Sequence, residues 1–307
     1  MIMRMMSSLA PSLDASAEQP VTVSPASLSS APRASAPIGV FDSGMGGLSI
    51  VRELQAHLPH EHIMYFADTL HVPYGGRSDE DIRQLTAKAV DWLYEQGCKA
   101  VVVACNTASA FSLTHLRDKY GEGFPVIGLV PAVKPAVLKS QSKVVGVLAT
   151  PGTLRGTLLH DVIEQVAVPH RVQVLTAVSP ALVPFVERGE QEGAACREEL
   201  QRVLFPLKEA GADHLVLGCT HYPFLKDSIQ AVFGQQFVLV DSGLAVARQT
   251  GRVLAAKSLV RPVQAQGQGS ALSCYVTGDA GKARPVLYQL LHLHPQQSAV
   301  EVKQVLI

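Results

Sequence analysis

The sequence predicts an α/β protein of two similar lobes with a ligand cleft between them, and three observations predict it. Short apolar runs ending in small or polar residues alternate with longer amphipathic segments, the rhythm of strand–helix units. The chain also echoes itself: Glu95, Gly97, Val102 and Cys105 recur at identical offsets as Glu209, Gly211, Val216 and Cys219. Each set reads as a helix end, a glycine turn, a buried strand and then a cysteine. Finally, 307 residues suffice for two domains of roughly 100 to 200 residues each.

Taken in chain order, residues 1–37 hold 21 Ala, Ser or Pro and no aromatic, too little apolar surface to offset the entropy of ordering. This stretch reads as a flexible leader. A signal peptide would need an apolar run where Ser7, Ser8 and Pro11 stand. Buried strands are expected at 38–41, 63–66, 100–104, 126–129, 144–148, 172–177, 214–217 and 237–240. Between them, 48–58 and 78–96 read as helices, the second with Ile82, Leu85, Ala89, Trp92 and Leu93 on one face. Gly39-Val40 opens the first half and Gly146-Val147 the second.

Composition narrows the function. Lys plus Arg and Asp plus Glu both total 26, so the basic excess that displaces counterions from nucleic acid is missing. Apolar runs such as 100–105 fall far below the roughly 18 residues of a membrane span. Nucleic acid and membrane are therefore not expected as partners. Five cysteines without a repeated short spacing suggest reduced thiols rather than a disulfide framework or a zinc knuckle.

Three segments carry chemistry. Asp42-Ser43-Gly44-Met45-Gly46-Gly47 follows a strand and precedes a helix, so its glycines could let backbone amides approach an anion at a helix N-terminus. A plain capped turn fits the same residues. The other two are Ala104-Cys105-Asn106-Thr107 and Gly218-Cys219-Thr220-His221-Tyr222-Pro223, each a cysteine after a buried strand and before hydroxyl or amide side chains and a helix start. Alone, either cysteine would read as a small buried hydrophobe. Occurring as a pair at strand ends, where ligands of open α/β sheets bind, they read as reactive thiols, lowered by the helix starts. Cys98, Cys196 and Cys274 lack such surroundings and read as packing or surface residues. The His57, His60, His62 cluster reads as a solvated turn rather than a metal tract, and no metal site is expected. Pro73-Tyr74-Gly75-Gly76 reads as a loop able to offer a phenol and backbone amides.

Asp42-Ser43-Gly44 with Gly46-Gly47-Leu48, Pro73-Tyr74-Gly75, Ala104-Cys105-Asn106-Thr107-Ala108 and Gly218-Cys219-Thr220-His221-Tyr222-Pro223, in this order, resemble the glutamate racemases, a family of cofactor-independent amino-acid racemases. The resemblance covers roughly 37–279, and it implies two lobes with the substrate between them, residues 38–132 with 241–284 carrying Cys105 and residues 133–240 carrying Cys219. It implies Cys105 and Cys219 as the two acid/base groups, Cys105 acting on D-glutamate and Cys219 on L-glutamate, with Asp42 assisting Cys105, and His221 and Glu187 assisting around Cys219. It further implies that Asp42, Ser43, Tyr74, Gly75, Asn106, Thr107, Thr150, Thr153, Thr220 and His221 bind substrate. Ser179 stands where many members carry cysteine. The resemblance also implies no cofactor, L- and D-glutamate as the small-molecule partners, a cytoplasmic location and supply of D-glutamate for bacterial peptidoglycan. Oligomeric state is open, a homodimer being one arrangement the sequence allows. Two alternatives stay open at this point: an aspartate racemase, which shares the two-cysteine logic, and an amino-acid binding protein whose lobes close on a ligand.

Overall fold

A computed structural model describes residues 33–262, 271–294 and 300–307. The proposed leader lies almost wholly outside the described residues. The first lobe begins with β1 (Ile38–Asp42), α1 (Leu48–His57), β2 (Ile63–Ala67), α2 (Asp79–Glu95), β3 (Ala100–Val103), α3 (Asn106–Tyr120) and β4 (Val126–Gly128). The chain then passes through α4 (Val133–Lys139) into β5 (Val144–Ala149), α5 (Pro151–Arg155), α6 (Thr157–Val162), β6 (Gln173–Val178), α7 (Leu182–Glu187), α8 (Ala194–Glu209), β7 (His214–Gly218), α9 (Lys226–Phe233) and β8 (Val238–Val240). It returns through α10 (Gly243–Ala256) to β9 (Leu272–Val276), α11 (Ala280–Leu290) and β10 (Glu301–Gln304).

All ladders are parallel, as βαβ connections require. The sheet orders are β10-β9-β2-β1-β3-β4 and β6-β5-β7-β8. Removing β9 and β10 leaves two sheets of the same order, first strand beside second and third, third beside fourth. The internal echo in the sequence thus corresponds to equivalent strands, β3 and β7, each preceded by a glycine in the left-handed region, Gly97 (φ +78) and Gly211 (φ +80). Beside β1 and β3, and again beside β5 and β7, the strand order reverses. That reversal opens a crevice at the C-terminal strand ends, where such sheets bind ligands.

The eight anticipated strands all form, within two residues at either end. Two strands had no counterpart in the sequence reading. β9 pairs with β2, and β10 pairs with β9 beyond residue 284, so the first sheet takes in more of the C-terminal chain than expected. Both are short; Leu272–Val276 mixes Ser and Cys into its run and Glu301–Gln304 is polar, as suits an edge strand.

Alternation along the inner strands sends side chains to opposite faces. Ile38, Val40, Ala100 and Val102 join the core that runs on into the second lobe with Leu148, Leu215 and Leu217. Phe41, Val101 and Val103 face a separate core with Ile82, Leu93 and Leu116 from α2 and α3. One continuous apolar core therefore holds the two sheets in register. Beneath the first sheet, Lys99 and Glu61 form a fully buried ion pair (2.5 Å). Glu61 thus departs from the solvated turn expected for its segment, because Lys99 Nζ and the Arg261 amide satisfy its carboxylate. His57 closes α1, and His60 is exposed.

Candidate active site

Both cysteines of the echo sit where the fold puts them, just past the ends of β3 and β7, and both line one narrow cleft between the lobes. Ser43, Tyr74, Gly75, Asn106, Thr107, Thr150, Thr220 and His221 line it too, with Pro73 and Val183. Of the residues singled out in the sequence, Asp42, Thr153 and Glu187 stand behind this wall rather than on it.

Around Cys105 the sequence makes a helix start. The cysteine is the N-terminal cap of α3, its Sγ accepting from the Ala108 amide (3.4 Å) and donating to Ser43 Oγ (3.6 Å). The lowered thiol expected at such a start does not follow. Burial pushes the Cys105 thiol far up and the nearby Asp42 charge adds to it, outweighing the Ala108 and Ser43 hydrogen bonds. Cys105 rests as a protonated thiol.

Cys219 is held differently. A 3₁₀ helix over Tyr222–Leu225 follows it, before α9. His221, which leads into that helix, has Nδ1 3.6 Å from Cys219 Sγ and Nε2 2.5 Å from Glu187 Oε1. Burial disfavours charge on this imidazole, yet the hydrogen bonds to Cys219 and Glu187 outweigh it and hold its proton affinity well above that of free imidazole. Glu187 Oε1 also accepts from the Met45 amide of the other lobe (2.7 Å), so this relay is complete only with the lobes together.

Asp42 joins the two halves. Fully buried, its Oδ2 accepts from the Gly44 amide (3.0 Å) and its Oδ1 from Thr220 Oγ1 (3.1 Å). Burial lifts its carboxyl from 3.8 to about 6 despite the opposing pull of His221. Its hydrogen bonds thus run to the turn and to the second lobe, and it acts on Cys105 through charge.

The glycines of the first motif have a spatial reason. A Cβ at Gly44 would stand 2.2 Å from Glu187 Oε1, one at Gly46 2.2 Å from His221 Nδ1, and one at Gly47 2.7 Å from Asp42 Cβ. The turn is bare at Gly44 and Gly46 so that Glu187 and His221 of the second lobe can pack against it, and at Gly47 so that it can close on Asp42 of its own strand. Across the lobes, the Thr107 hydroxyl meets that of Thr150 (2.7 Å) and, behind the wall, that of Thr153 (3.4 Å), and the Asn106 Nδ2 donor is buried without a partner. Hydroxyls and an unspent amide donor can receive a carboxylate.

Three supporting residues escaped the sequence reading. The Tyr65 hydroxyl donates to the Gly44 carbonyl (2.5 Å), Ser49 Oγ to the Thr220 carbonyl (2.8 Å), and buried Asp68 accepts from Tyr74 (2.6 Å) and Thr277 (2.7 Å). Asp68 directly follows β2, so the strand-end rule could have found it; Tyr65 and Ser49 look like ordinary core and helix positions. Among the described residues, no group of three or more His, Cys, Asp or Glu side chains is placed to hold a metal, and no helix is long and apolar enough to cross a membrane.

The family model for Asp/Glu/hydantoin racemases matches residues 48–250. The chain is 61% identical over 260 residues to a glutamate racemase of Deinococcus radiodurans, covering 85% of this chain and 88% of that one. Among solved structures, it is similar to glutamate racemase isoform RacE1 of Bacillus anthracis (TM-score 0.76, 29% identity, 88% and 97% of the two chains). It is also similar to a Francisella tularensis glutamate racemase in complex with D-glutamate (TM-score 0.74, 30% identity, 89% and 98%).

Proposed function

The chain belongs to the Asp/Glu/hydantoin racemase family, and from that premise we propose that it interconverts L- and D-glutamate with Cys105 and Cys219 as its two proton-transferring groups. The observation that carries this reading is the pair of thiols on one cleft, each at the same place in its own lobe and each with its own partners. Racemisation removes a Cα proton from one face and returns one to the other, so it needs a base and an acid on opposite sides.

Starting from L-glutamate, Cys219 takes the Cα proton, His221 and Glu187 accommodating the charge change, and the Cys105 thiol protonates the opposite face. The reverse direction exchanges the roles. A resting protonated Cys105 suits the donor in the L-to-D direction. Ser43, the Tyr74–Gly75 segment, Asn106, Thr107, Thr150 and Thr220 hold the carboxylates and the ammonium, with Thr153 supporting Thr150 from behind and Asp42 assisting Cys105. The reaction needs no cofactor. D-glutamate made in this way would serve bacterial peptidoglycan synthesis in the cytoplasm.

The purified protein should erase the circular dichroism of L-glutamate and, much more slowly, that of L-aspartate. Cys105→Ser and Cys219→Ser should each abolish the effect. An unchanged glutamate signal, or faster loss with aspartate, would overturn the reading.

A further inference from the structure

Arg155 touches neither thiol nor any of their partners, yet it joins the two lobes beside Gly75, which lines the cleft. It closes α5 in the second lobe, and its guanidinium donates to the Arg77 carbonyl (2.8 Å), the Gly75 carbonyl (3.4 Å) and Asp79 Oδ1 (3.3 Å) of the first. The Phe111 ring supports it, with Cζ 5.7 Å from the centroid. Below this contact the backbones meet closely: a Cβ at Gly152 would lie 3.2 Å from the Gly75 carbonyl oxygen, and one at Gly75 2.9 Å from Thr150 Cβ. Gly75 and Tyr74 line the cleft.

We propose that Arg155 is a positioning residue that holds the Tyr74–Arg77 rim of the cleft against the opposite lobe, fixing the substrate-facing backbone without taking part in proton transfer. The proposal rests on the racemase reading above. The pair with Asp79 is exposed on both sides and contributes little. The two carbonyl contacts do the holding, because one planar guanidinium spans both, and a single ammonium cannot reproduce that geometry.

The test is steady-state kinetics in both directions on Arg155→Ala, Arg155→Lys and Asp79→Asn, alongside hydrogen exchange of the segment 73–79. For Arg155→Ala, KM should rise about tenfold in both directions while kcat stays within about twofold, since lost substrate-side order weakens binding and leaves the thiols untouched. Exchange of the rim amides should quicken. Arg155→Lys should fall between wild type and Arg155→Ala, and Asp79→Asn should match wild type. An unchanged KM in Arg155→Ala, or a fall in kcat at constant KM, as simple loss of folded enzyme would give, overturns the proposal. Should the wild-type protein fail to racemise glutamate, the racemase reading falls instead, and the exchange comparison still decides whether Arg155 holds the rim.

Discussion

Asp42→Asn should make the protein more stable and less active, and the stability gain should depend on pH in a defined way. The carboxyl is fully buried, and burial lifts it from 3.8 to about 6. Above pH 6 the folded protein therefore carries a charged group it would hold more easily protonated. The difference between 3.8 and about 6 corresponds to a penalty of ~3 kcal/mol at most. Because the folded value is the higher one, the penalty is complete above about pH 6, shrinks as pH falls toward 3.8, and vanishes below it. An asparagine removes it: its oxygen can keep the Gly44 amide, and the Thr220 hydroxyl can turn to accept from its nitrogen. Urea unfolding of both proteins should show the variant ahead by roughly 2–3 kcal/mol at pH 8, with the gap closing toward pH 4. Activity should fall at least about tenfold, because the charge that acts on Cys105 is gone. A variant less stable than wild type at pH 8, or a gap that does not change with pH, would refute the reasoning.

Gly46→Ala should lower kcat/KM about a hundredfold by driving a methyl into His221, whereas Gly76→Ala, with nothing within 4 Å, should stay within about twofold. In deuterated water, early D-glutamate made from L-glutamate should carry deuterium at Cα while unreacted L-glutamate keeps protium; mass spectrometry showing the original proton retained in product would point to a single base. His221→Asn should raise the primary isotope effect with Cα-deuterated L-glutamate and lower it with the D-enantiomer, Asp42→Asn doing the reverse. Equal changes in both effects would mean that these groups serve the site as a whole. The two enantiomers have equal free energy, so kcat/KM itself must fall alike in both directions for every variant.

The strands, the two-lobe architecture and the paired cysteines were legible in the sequence because they rest on local periodicity and on a repeated offset. Buried parallel strands read as continuous apolar runs, and a thiol after such a run lies at the binding end of its sheet whatever the rest of the fold does. β9 and β10 were not legible: a short mixed run and a polar edge strand become strands only because β2 leaves an edge to pair with. The glycines of Asp42 to Gly47 show the same division at the site. Their presence in the turn was plain, but the atoms that demand Gly44 and Gly46, on Glu187 and His221, lie more than a hundred residues away. The state of Cys105 was likewise decided in three dimensions, since a helix start is a local feature and burial among Asp42 and the second lobe is not. Sequence alone determined which groups could do the chemistry; only the packing of one lobe on the other decided which of them meet, how their protons are held, and that Arg155 reaches the Gly75 and Arg77 carbonyls of the other lobe, because those contacts join residues that the chain itself keeps far apart.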